Sequence, residues 1–126
     1  MKLASVKEGG RDGTLIVVDR DLKRAVRAAS IVPTLQKALE DWPNLRPRLV
    51  ELSEKLRDDK APGSFELDPT ALAAPLPRAY QWADGSAYVV HVELVRKARG
   101  VEMPPSFWTD PLMYQGGSDS FVGPTD

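Results

Sequence analysis

Apolar positions divide the chain into segments with different periods. Residues 14–19, TLIVVD, are short, β-branched and almost continuously apolar, which predicts a buried strand. MKLASVK at residues 1–7 predicts a shorter strand before it. EGGRDG between the two places glycine at three of six positions, suiting a hairpin turn with positive φ. Residues 23–29, KRAVRAA, alternate weakly and fit either a third strand or the start of a helix.

The period then becomes helical. Leu35, Leu39 and Trp42 fall at i, i+4 and i+7, behind Pro33 in the first turn. Pro43 is expected to end that helix. Leu45, Leu49, Leu52 and Leu56 carry a second stripe, with Asn44 as its N-cap and Pro47 within its first turn. Glu51 and Lys55 pair at i,i+4 on the wet side. The two stripes predict a helical hairpin packed on a small sheet. DDKAPGS (58–64) reads as a loop, Phe65–Asp68 as a short strand, and 71–82 as an extended connector broken by Pro75 and Pro77.

From Asp84 the pattern is helical again. Asp84 suits an N-cap, and Tyr88, His91 and Val95 follow on one face at i+4, i+7 and i+11. Val89, Val92 and Leu94 are expected to supply the buried side. Arg96, Lys97 and Arg99 suit the last turn, and Gly100 the C-cap. Asp84 and His91 would then stand about 10 Å apart along the axis. The segment 101–118 reads as a loop rich in proline, glycine and aromatics. Trp108 is assigned to packing, Gly116–Gly117 to close backbone approach, and Tyr114 to either packing or a polar role through its hydroxyl.

Composition narrows the chemistry. With 126 residues, one domain is the simplest expectation from length. Hydrophobic residues make up 42%, charged residues 28%, and the net charge is −1, so neither nucleic acid nor an acidic membrane is an expected partner. Arg20, Lys23, Arg24 and Arg27 are offset by Asp19 and Asp21 and read as a solvated face. The absence of cysteine excludes disulfides, thiolate metal sites and cysteine nucleophiles. No stretch approaches the ~20 apolar residues of a membrane helix, and none resembles a signal peptide, so a cytoplasmic location is expected.

What remains is concentrated in Trp82–Ser118. It holds the sole histidine, two of three tryptophans and two of three tyrosines. Two interpretations stay open on spacing alone. In one, Asp84 caps a helix and His91 is an ordinary side chain. In the other, His91 is a general base near neutral pH and Asp84 a ligand for a hard divalent cation.

The runs PLPRAYQWADGSAYVVHVELVRKARG and WTDPLMYQGGSDSFVGP resemble bacterial members of the fumarylacetoacetate hydrolase family, and residues 1–80 look like its small N-terminal domain. The resemblance implies that Asp84 binds a divalent cation, Mg²⁺ or Ca²⁺, and that His91 activates water. It makes Tyr114 in PLMYQG, and Arg99, one position off register, substrate-binding residues. Family members often carry tyrosine where this chain has Ser86. The implied reaction is metal-dependent hydrolysis of a C–C bond in a β-diketo acid, in the catabolism of aromatic compounds or amino acids, by an enzyme that is commonly a homodimer. The family takes further metal ligands from a later Glu-x-Glu, which does not occur here.

The expected fold is therefore α+β. Residues 1–75 form a small N-terminal sheet with a helical hairpin. Residues 76–126 form a helix and irregular loops that begin a truncated, β-rich catalytic domain. The chain is expected to be the N-terminal piece of a longer enzyme, inactive by itself. The alternative expectation is a non-catalytic packing or dimerisation module.

Overall fold

The computed structural model describes residues 1–117 and 120–126, and backbone only at Ser86. Ser118, which closes the stretch singled out above, and the side chain of Ser86 lie outside what is described. Two compact units are present: Met1–Ala79 with Asp119–Asp126, and Tyr80–Ser118.

The first unit is built on an antiparallel sheet in the order β1-β2-β3-β4, from β1 (Lys2–Val6), β2 (Thr14–Val18), β3 (Arg24–Arg27) and β4 (Phe65–Glu66). The β1–β2 register runs from Lys2 opposite Val18 to Val6 opposite Thr14. The connecting turn needs glycine at Gly13, where φ is 68° and a Cβ would meet the Val6 carbonyl oxygen at 2.8 Å. Residues 24–27, ambiguous by period, are a strand because β2 pairs with them, Val17 lying opposite Val26.

The unbroken apolar run of β2 has a physical cause: both of its faces are covered. Leu15 and Val17 join Val26, Leu49 and Leu56 under the helices. Ile16 and Val18 join Val6 and Ala25 on the opposite face, covered in part by Phe65, Leu67 and Leu72. A strand buried on both sides shows no alternation. Beyond β1, the connector folds back along the sheet edge. Lys7 N–H donates to Ala71 O (2.8 Å), Ala73 N–H to Ser5 O (2.9 Å), and the buried Ser5 Oγ to Pro75 O (2.8 Å).

The helical hairpin is present with shifted ends. Helix α1 spans Leu35–Glu40, and its N-cap is Thr34, whose side chain accepts from Lys37 N–H. Pro33 lies before it. Helix α2 spans Trp42–Arg57, so Pro43 stands in its first turn and does not end α1. The break falls at Asp41 (φ −129°, ψ 39°). A first-turn proline forgoes an N–H that has no intrahelical partner, so Pro43 starts a helix as readily as it stops one. Asn44 is consequently not a cap. Its side-chain amide donates to Asp41 Oδ1 at 2.6 Å, and Pro47 lies inside the helix. Leu49 and Leu56 are fully buried, whereas Leu39, on the predicted apolar stripe, is 46% exposed.

The second unit contains a two-stranded antiparallel ribbon, β5 (Ala83–Ser86) with β6 (Leu112–Gln115), and helix α3 (Val89–Ala98). A short 3₁₀ turn, Pro105–Trp108, precedes β6. Among the described residues, no helix is long and apolar enough to cross a membrane.

Candidate functional site

The expectation that Asp84 caps a helix is overturned. Asp84 lies in β5, and α3 begins five residues later, with Tyr88 at its N-cap position and outside its first turn. Strand pairing is the cause. Residues 112–115 are an extended partner rather than loop, and they take Ala83–Ser86 into a ladder that places Asp84 directly opposite Tyr114. The expected spacing of two side chains on one helix therefore does not apply to Asp84 and His91.

Cross-strand pairing brings the Asp84 carboxylate to the phenol instead. Tyr114 O–H donates to Asp84 Oδ2 at 2.6 Å. That hydrogen bond is the main reason the Tyr114 phenol is held above its ordinary value of 10.0; partial desolvation and the carboxylate charge add to it. The one phenol proton is thus committed to the Asp84 carboxylate.

His91 is the third residue of α3, and its side chain is exposed. It lines an open depression of 650 Å³ with Asp84, Gly85, Tyr88 and Leu94. On its other flank it lines a second depression of 350 Å³ with Val95, Arg99, Phe107 and Leu112. Of the other three residues singled out by sequence, two line a depression together with the imidazole. Asp84 shares one depression with it, Arg99 shares the other, and Tyr114 is tied to Asp84. Arg99 is the C-cap residue of α3, and Gly100 follows at φ 68°, the left-handed conformation suited to a helix end. Beside it, Arg96 Nη1 donates to Glu102 O at 3.0 Å.

Three further expectations change. No residue of α3 is buried; Leu94 is 62% exposed. Trp108 does not pack inward, being 60% exposed, whereas its neighbour Phe107 is buried. Gly116 does not leave space for a ligand, because the indole of Trp82 fills it. A Cβ there would lie 2.5 Å from Trp82 Cε3. Trp82 also packs against the Tyr114 ring, with centroids 5.7 Å apart and planes at 55°. Nothing in the sequence couples Trp82 to Gly116, since they are brought together only by the β5–β6 register.

The residues present do not make a complete metal site. Mg²⁺ and Ca²⁺ require six or more oxygen ligands, and dedicated protein sites supply several of them. Among the described residues, no group of three His, Cys, Asp or Glu side chains could hold an ion. Asp84 offers one carboxylate, and one of its oxygens already accepts from Tyr114.

Comparison with known proteins adds one finding. Residues 1–78 match the family model described as Fumarylacetoacetase N-terminal domain 2. No curated protein matches the chain.

Proposed function

From the premise that the chain belongs to the fumarylacetoacetate hydrolase family through its N-terminal domain, we propose that it serves an enzyme that hydrolyses a C–C bond of a β-diketo acid. Residues 1–75 act as the N-terminal domain and residues 76–126 open the catalytic domain. The enzyme works in the cytoplasm, in breakdown of aromatic compounds or amino acids, as a homodimer. The observation that carries this proposal is the match over residues 1–78; the clustering of Asp84, Tyr114 and His91 within one unit supports it.

Each side chain has a task suited to its environment. The exposed imidazole of His91 takes a proton from water as the water oxygen adds to the scissile carbonyl. The C–C bond then breaks, its electron pair leaving with the enolate carbon, and the proton returns to that carbon. Asp84 takes the single O–H of Tyr114 and holds the phenol in place, which leaves the phenol oxygen to accept a hydrogen bond from the enol hydroxyl of the substrate. Arg99 offers a permanent positive charge to the substrate carboxylate from the far flank of His91. Because Asp84 alone does not fit a divalent cation, no step runs through one. Any dependence on Mg²⁺ or Ca²⁺ requires ligands additional to the described residues.

The test is cleavage of an acylpyruvate by the intact gene product, followed by the loss of the enol absorbance and by identifying the two acids formed. Equimolar acids are expected. A β-diketo acid left intact, under conditions where the protein is folded and divalent cations are supplied, would overturn the proposal. The self-contained core of the first unit also favours a second reading, a non-catalytic packing or dimerisation module. A gene product that dimerises through this unit and never cleaves substrate would establish it.

A further inference from the structure

Tyr114 stands on an exposed strand and is itself 56% exposed. In that setting water reaches the phenol and competes for the Asp84 carboxylate. The hydrogen bond to Asp84 does not by itself explain why the ring adopts one orientation. Among the described residues, Trp82 is the one ring packed against it, tilted at 55° with centroids 5.7 Å apart, an arrangement in which aromatic rings attract. Trp82 is in turn held by Gly116. Gly116 N–H donates to Trp82 O at 3.2 Å, and the indole occupies the space where a side chain at 116 would stand, 2.5 Å from Cε3 and 2.8 Å from Cζ3.

We propose that Trp82 is a positioning residue for the Asp84–Tyr114 pair, and that Gly116 is glycine because it must admit the indole. The inference rests on the site proposed above, to which Asp84 and Tyr114 belong. Trp82 touches neither substrate nor the reacting bond in this account. It fixes the Tyr114 ring so that the hydroxyl meets Asp84 before any ligand arrives, which is what a preorganised pair requires.

The test uses the chain with ¹³Cζ-labelled tyrosine, observed at neutral pH, where the phenol carbon reports hydrogen bonding to a carboxylate. Tyr114→Phe assigns the signal, and Asp84→Ala gives its position without the bond. Trp82→Ala is expected to shift the Tyr114 signal fully to the Asp84→Ala position. Gly116→Ala is expected to do the same, although it removes no atom of the ring. Trp82→Phe, which keeps a ring, is expected to hold the wild-type position. Far-ultraviolet circular dichroism checks that α3 persists. If Trp82→Ala unfolds the second unit, Gly116→Ala and Trp82→Phe carry the decision. A Tyr114 signal unmoved by Trp82→Ala or Gly116→Ala, or lost in Trp82→Phe, overturns the positioning role. Failure of the proposed function appears separately, as absent acylpyruvate cleavage, and leaves these signals unchanged.

Discussion

Replacing Leu49 by Ala probes how the first unit is held together. Leu49 lies on α2, is 0% exposed, and belongs to the cluster that joins the helices to Leu15, Val17 and Val26 of the sheet. The substitution removes buried apolar atoms and leaves a cavity that a sheet-backed core cannot fully collapse. Such changes cost about 2–5 kcal/mol. A domain of this size has a total stability of only about 5–15 kcal/mol. At ~3 kcal/mol the midpoint should fall by about 12–24 °C, taking ~4–8 °C per kcal/mol for a small domain. Leu39→Ala is the matched control. Leu39 shares the helical stripe by spacing, yet it is 46% exposed. Its loss should change stability by no more than about 0.5 kcal/mol, helped by alanine's higher helix propensity. Urea denaturation followed by circular dichroism measures both. Equal costs for the two variants, or less than about 1 kcal/mol for Leu49→Ala, would refute this packing.

Other outcomes follow from local geometry. Gly13→Ala should destabilise by about 1–3 kcal/mol, because φ is 68° and the new Cβ meets the Val6 carbonyl; thermal melts check this, and a neutral result would contradict the turn. Glu8 and Asp12 are held below their ordinary 4.5 and 3.8, chiefly by hydrogen bonds from Arg27 and Arg78. A carboxyl depressed by folding contributes stability above its unfolded value and loses it as pH falls through the folded one. Stability should therefore decline below about pH 4.5, and the combined Glu8→Gln, Asp12→Asn variant should flatten that decline in melts across the acid range. Asp84→Ala should lower the Tyr114 phenol toward 10.0, read by ultraviolet titration; an unchanged titration would show that the hydrogen bond is not its cause.

Much of the first unit was legible in its residues. The hairpin glycines, the β-branched run of β2 and the leucine stripe of α2 each carry a local signal strong enough to identify their element. Helix ends were less legible. Pro43 is compatible with stopping one helix or starting the next, and the bend at Asp41 settles which. The second unit was the hardest. Ala83–Ser86, with sequence ADGS, has no strand character of its own and becomes a strand through Leu112–Gln115, some thirty residues away. For that reason the grouping of Asp84, His91 and Tyr114 was visible as a set of residue types, whereas the bond between Asp84 and Tyr114 was not. Trp82 and Gly116 were invisible as a pair for the same reason.

The most direct test of the account is the rate of acylpyruvate cleavage by the intact gene product carrying His91→Gln. The variant keeps a polar side chain on the exposed face of α3 and removes only the proton acceptor. The kcat is expected to fall about 10²- to 10⁴-fold, the range lost with a general base, with circular dichroism unchanged. A kcat within about threefold of the wild type, far short of that range, would contradict the role of His91 and with it the proposed site.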